Sequence, residues 1–142
     1  VTGVQTCALP ILRDPDTYEK FEQVILVHGV REVKELAYHD YLTTELPQHE
    51  ILGEMVSQQF KYYPTVTREP FKNQGRITDL INSGKLTDDL GFPALNAAED
   101  RVMICGSSAM LRDLKEMMEA RGLSEGSTTT PGDFVIERAF VT

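Results

Sequence analysis

Short apolar runs that end on glycine or on a polar crossing, with helix-forming stretches between them, constrain this chain most. Val24-Ile25-Leu26-Val27-His28-Gly29 is β-branched, continuous and stopped by glycine, the pattern of a strand buried on both faces. Phe60 to Val66 is the next strand, and Pro64 within it predicts an edge position, because proline cannot donate to a ladder. Arg101-Val102-Met103-Ile104-Cys105 is a third strand, followed by a Gly106-Ser107-Ser108 turn, and Asp133 to Thr142 supplies a last strand and tail.

The stretches between alternate with these strands. Val33, Leu36, Ala37, Tyr41 and Leu42 fall near helical spacing and predict an amphipathic helix reaching Pro47. Glu50 to Val56 reads as a short helix or turn. Gly75 to Ile81 opens a helix that Ser83-Gly84 closes. Residues 85–100 are loop-rich, with a short helix at Leu86 to Leu90. Met110, Leu111, Leu114, Met117 and Met118 line one helical face that stops at Arg121-Gly122, and a Ser/Thr/Gly/Pro loop covers 124–132. Strand, helix, strand, helix, strand, helix, strand predicts an α/β fold with a mostly parallel sheet and helices on both faces.

Composition narrows the function classes. A chain of 142 residues is one domain or part of one, and 41% hydrophobic residues can build a core. A net charge of -8 argues against a nucleic-acid partner, whose phosphates require a basic face. Cys7 and Cys105 form no paired framework or zinc spacing, which fits a reducing, cytoplasmic setting. No apolar run approaches the roughly 20 residues that span a bilayer, so no membrane role is expected. Residues 1–12 carry no charge until Arg13 and lack the basic n-region of a signal peptide. They read as a truncated or foreign end, with residues 13–142 as the domain and the chain as a fragment.

Candidate chemistry lies at the strand ends, because in an open parallel sheet ligands bind beyond the carboxyl ends of the strands. From Tyr62 to Leu80 the chain reads as a buried strand, a polar crossing and a helix start, with Arg68 and Arg76 flanking the crossing. Two guanidiniums there suit a phosphate, since their planar forks make paired charge-assisted hydrogen bonds. The alternative is two surface arginines in a polar loop. His28-Gly29-Val30-Arg31 places another arginine on the same rim, with His28 read as a satisfied core histidine. At Cys105-Gly106-Ser107, the amides of the following helix N-terminus would suit a pyrophosphate. Cys105 lies where a reacting ring could rest, or it is an inert buried thiol.

Taken in order, His28-Gly29-Val30-Arg31, Thr65-Val66-Thr67-Arg68 with Gly75-Arg76, Cys105-Gly106-Ser107 and Val135-Ile136-Glu137-Arg138-Ala139-Phe140 resemble the NADP-binding half of bacterial ferredoxin (flavodoxin)–NADP reductases. The resemblance covers Arg13 to Thr142. It implies a parallel five-stranded-type nucleotide-binding sheet with helices on both faces. It also implies that Arg68 and Arg76 clasp the 2′-phosphate of NADP(H), with Thr67 and Arg31 lining the same nucleotide. Cys105 and Glu137 would take the catalytic positions beside nicotinamide and flavin. Gly106, Ser107 and Met110 would lie near the nicotinamide and pyrophosphate, and Ala139 and Phe140 would pack in the tail over FAD. The implied partner is ferredoxin or flavodoxin, and the implied protein a monomer.

Two elements of that family are not found in these residues: the FAD-binding barrel, and the Gly-Thr-Gly-x-Ala-Pro turn after the domain's first, central strand. The sheet is therefore expected to lack that strand, which would lie between the strand at Val24 and the one at Val102. Each unpaired buried backbone group costs roughly 1–3 kcal/mol against a domain stability of about 5–15 kcal/mol. The chain alone is expected to be marginal and to have little reductase activity, unless Val4 to Ile11 substitutes for the strand. Two other readings remain: the NAD(P) half of an oxygenase-type flavin reductase, and a non-enzymatic α/β module.

Overall fold

The structure is a computed structural model and describes residues 8–137. The chain divides into two compact units that meet in sequence at Asp79 and Leu80.

The first unit opens with two short helices, α1 (Leu9–Leu12) and α2 (Pro15–Lys20). Asp14 caps α2 by accepting a hydrogen bond from the Asp16 amide at 3.0 Å, and Pro15 fits the first turn because its missing N–H would be unpaired there anyway. At the other end the Gln59 side-chain amide donates to the Tyr18 and Phe21 carbonyls at 2.8 and 2.7 Å, satisfying acceptors that a short helix leaves open. Two strands follow, β1 (Val24–Val30) and β2 (Phe60–Val66), joined in parallel with Val24 opposite Phe60 and Val30 opposite Val66. The helix α3 (Gly53–Gln59) runs directly into β2. Leu9, Leu12, Tyr18, Leu42, Leu46, Leu52 and Val56 form the core of this unit.

α4 (Ile77–Asn82) crosses the boundary. The second unit then contains α5 (Lys85–Leu90), β3 (Val102–Cys105), α6 (Ser108–Ala120) and β4 (Phe134–Glu137). β3 and β4 pair in parallel, Val102 opposite Phe134 and Cys105 opposite Glu137. Leu80, Leu86, Ile104, Leu111, Leu114, Met118, Leu123 and Phe134 are its buried apolar residues, and Leu111, Leu114 and Met118 are the part of the predicted stripe that α6 buries.

The α/β class and the parallel pairing agree with the sequence, and three expectations are corrected. The described strands form two separate two-stranded sheets rather than one continuous sheet. β1 was expected to be buried on both faces, yet none of its residues is fully buried and Ile25 is 40% exposed. Tyr63, Pro64, Thr65 and Val66 of β2 are buried instead. The amphipathic helix expected from Val33 to Pro47 is broken into a 3-10 turn (Val33–Glu35), a π turn (Tyr41–Glu45) and a second 3-10 turn (Leu46–Gln48). Tyr38 interrupts it with a φ of 63°, a left-handed conformation that ends a right-handed helix.

Residues 8–12 are helical, so that part of the stretch expected as a substitute strand is not one; residues 1–7 lie outside the described residues. Among the described residues no helix is long and apolar enough to cross a membrane.

Candidate functional site

Candidate residues gather at strand ends in both units. In the first unit, the pairing of β1 with β2 continues past the strands: the Thr67 amide donates to the Val30 carbonyl at 3.0 Å and the Arg68 amide to the Arg31 carbonyl at 2.9 Å. The backbones of Arg31 and Arg68 are therefore bonded to each other, although 37 positions separate them in the chain. A third tie lies one step further on. The 3-10 turn at Val33 leaves its first amide without a partner of its own, and the Glu69 carboxylate accepts from that Val33 N–H. Glu32 and Glu35 close the same turn as a reciprocal capping box.

The crossing from β2 to α4 is pinned at its far end as well. The Val66 amide donates to the Asn73 carbonyl at 3.1 Å and the Gly75 amide to the Val66 carbonyl at 3.2 Å, so residues 73–75 lie alongside the end of β2. The Asn73 side-chain amide donates to the Pro64 carbonyl at 2.9 Å, and the fully buried Thr65 hydroxyl donates to the Gly75 carbonyl at 2.8 Å. Gly75 has a φ of 133°, a conformation open to glycine and rarely to other residues, and the chain turns there into Arg76. Arg68 and Arg76 thus stand at the two fixed ends of one small loop. Arg31, Thr67, Arg68 and Arg76 are all exposed, and among the described residues none of the three arginines is held in an ion pair. In a chain of net charge -8, three exposed guanidiniums on adjoining loops concentrate positive charge locally.

His28 belongs to the same unit but serves the packing. Its Nδ1 lies 3.2 Å from the Tyr62 hydroxyl, and the His39 ring lies 5.7 Å from the Tyr62 ring. Burial, with a smaller contribution from His39, holds the His28 pKa below its ordinary 6.5. Burial also pushes the Tyr62 hydroxyl up to about 12. Both groups are thus neutral near pH 7, as a half-buried pair without a counter-charge should be.

In the second unit the strand pairing sets Cys105 and Glu137 opposite one another at the carboxyl end of β3. Cys105 is half-buried and Glu137 exposed. Ser107 caps α6 by accepting from the Met110 amide at 3.3 Å. Met110 in turn lies over Gly106: a Cβ placed on Gly106 would sit 2.6 Å from the Met110 Sδ. Cys105 and Glu137 are thus paired across the strands, and Gly106, Ser107 and Met110 lie together at the turn into α6. Ala139 and Phe140 lie outside the described residues. Among the described residues no group of three or more histidine, cysteine or acidic side chains could hold a metal ion.

Three residues that shape the arginine site were not singled out from the sequence: Thr65, Glu69 and Asn73. The Asn73-Gln74-Gly75 run carried a turn signal that pointed to the pinned loop. No local signal identifies Glu69, whose partner amide is 36 residues away.

Comparison with known proteins gives this geometry a setting. Residues 4–116 match the family described as the oxidoreductase NAD-binding domain. A ferredoxin–NADP reductase of Pseudomonas aeruginosa is 54% identical over 134 residues, which are 94% of this chain and 52% of that protein. A flavodoxin/ferredoxin–NADP reductase of Rhodobacter capsulatus is 45% identical over 140 residues, 99% of this chain and 52% of that protein. A crystal structure of a ferredoxin NADP+ reductase from Neisseria gonorrhoeae with bound FAD and NADP superimposes with a TM-score of 0.75 at 27% identity, covering 92% of this chain and 50% of that one. The chain spans about half the length of the curated relatives it matches.

Proposed function

The chain belongs to the oxidoreductase NAD-binding domain family, and from that premise we propose that it is the NADP(H)-binding half of a flavin-dependent ferredoxin or flavodoxin–NADP reductase. The observation that carries the proposal is the arginine site: Arg31, Arg68 and Arg76 are exposed at the ends of β1 and β2 and of the pinned loop, with no ion-pair partner among the described residues. A dinucleotide carrying a 2′-phosphate offers the charge these groups lack, whereas one without it leaves them idle. The relatives named as ferredoxin–NADP reductases support the same reading.

The residues divide the work by position. Arg68 and Arg76 hold the 2′-phosphate, and Thr67 and Arg31 line the same nucleotide. Gly106, Ser107 and Met110 receive the nicotinamide and pyrophosphate portion. Cys105 and Glu137 take the catalytic positions, packing beside the nicotinamide and excluding water from it. Ala139 and Phe140 belong to the tail that covers the flavin. When bound, the cofactor pair NADP(H) and FAD supplies the hydride chemistry, and the protein contributes binding and orientation. Ferredoxin or flavodoxin is the electron partner, and a reducing, cytoplasmic setting suits the cysteine usage.

Calorimetric titration of the full chain with NADP+ and with NAD+ tests this reading. Each charge-assisted contact is worth about 1.5–3 kcal/mol. NADP+ should bind more tightly than NAD+, and Arg68→Ala with Arg76→Ala should abolish the difference. Equal affinity for the two dinucleotides in a folded chain would overturn the proposal.

A further inference from the structure

We infer that Glu69 is a positioning residue for the arginine site and through it a determinant of the preference for a 2′-phosphorylated dinucleotide. The inference rests on the anion-site reading above.

Electrostatics alone makes Glu69 a puzzle. It follows Arg68 directly, and a carboxylate beside an anion site repels the ligand that the arginines attract. It also forms no ion pair with either arginine among the described residues. What it does is mechanical. Its carboxylate accepts from the Val33 amide, the open donor at the start of the 3-10 turn after β1. That contact is the last of three ties between the loop after β1 and the loop after β2, beyond Thr67 to Val30 and Arg68 to Arg31. Arg31 and Arg68 sit inside this set of ties, between strand pairing on one side and the Glu69 contact on the other. Without Glu69 both loops are free to splay beyond the last backbone bond, and Arg68 loses its fixed position relative to Arg76, which the far end of the pinned loop holds. A clasp must keep its two forks at the spacing of one phosphate, so binding energy is lost to reordering the loops.

The two roles of Glu69 predict opposite signs, which makes the inference testable. Removing a negative charge should strengthen anion binding; removing a positional tie should weaken it. Glu69→Gln removes the charge and keeps a side-chain oxygen able to accept from Val33, whereas Glu69→Ala removes both. The experiment is calorimetric titration of the full chain and both variants with NADP+ and NAD+, alongside hydrogen exchange of the Val33 and Arg68 amides without ligand. Glu69→Ala should lower the NADP+ to NAD+ affinity ratio about fivefold to tenfold, the loss of about one hydrogen bond's worth of registry. It should also speed exchange at both amides. Glu69→Gln should match or exceed the parent ratio and keep both amides protected. A Glu69→Ala ratio equal to or above the parent's, in a parent that prefers NADP+, would overturn the positioning role alone. A parent that shows no preference for NADP+ would remove the anion-site reading and this inference with it.

Discussion

Thr65→Val isolates the anchor of the loop that presents Arg68 and Arg76. The two side chains have nearly the same shape, and Thr65 is fully buried, so solvent exposure does not enter the comparison. The substitution deletes a hydroxyl that donates to the Gly75 carbonyl at 2.8 Å; its other near acceptor, the Asn73 carbonyl, is a distant 3.4 Å away. Leaving a carbonyl without its donor costs about 1–3 kcal/mol. The added methyl returns about 0.8 kcal/mol of apolar burial. The net is a local loss of about 0.2–2.2 kcal/mol. Because the bond closes only the 66–75 loop, the loss should appear as local opening rather than global unfolding. Hydrogen exchange reads it directly: the Gly75 amide, bonded to the Val66 carbonyl, and the Val66 amide, bonded to the Asn73 carbonyl, should both exchange faster, by roughly 8-fold at the middle of that range and up to about 40-fold. The Leu111 amide, bonded to Ser107 in α6, serves as the unaffected reference. Unchanged exchange at Gly75 and Val66 would refute the idea that the Thr65 hydroxyl holds the loop.

Two further outcomes follow from the same geometry. Ser107→Ala removes the side-chain cap of α6 and should destabilise the chain by about 1 kcal/mol, measured as a lower urea midpoint with an unchanged slope. His28 should make stability depend on pH. Its pKa is lowered in the folded state, so above about pH 6.5 it is neutral whether folded or unfolded and exerts no pull. As pH falls below 6.5 the unfolded chain takes up the proton first, and stability declines until His28 is protonated in the folded state too. Urea midpoints at a series of pH values should fall across that window in the parent and fall less in His28→Gln.

Much of this fold was legible where punctuation and burial agree. Tyr62 to Leu80 reads correctly as strand, crossing and helix because Gly75 marks the turn and the apolar run before it is buried. The stripe of Leu111, Leu114 and Met118 on α6 is likewise direct. The region from Val33 to Pro47 misled because periodicity counted Val33, which is 40% exposed, while the burial that decides the path belongs to Leu36, Leu42 and Leu46. The left-handed Tyr38 lies between Leu36 and Leu42, so these buried residues do not share one helical face. The exposure of Arg31, Arg68 and Arg76 at strand and loop ends was legible through contrast: positive charge beside apolar runs in an acidic chain. The contact of Glu69 was not, since its partner is an amide that only the parallel pairing of β1 with β2 brings within reach.

Ile25, Met103 and Val135 govern how the chain behaves in a crowded solution. Each is an exposed apolar side chain in a sheet of two strands, where, among the described residues, every strand is an edge. Such edges template pairing between molecules. The opposing force is the net charge of -8, which keeps molecules apart by mutual repulsion. That repulsion reaches about 10 Å at 0.1 M salt and about 3 Å at 1 M. Apolar attraction is not weakened by the same ions. Rising salt therefore drives these molecules towards self-association, the reverse of the behaviour of proteins that associate through ion pairs.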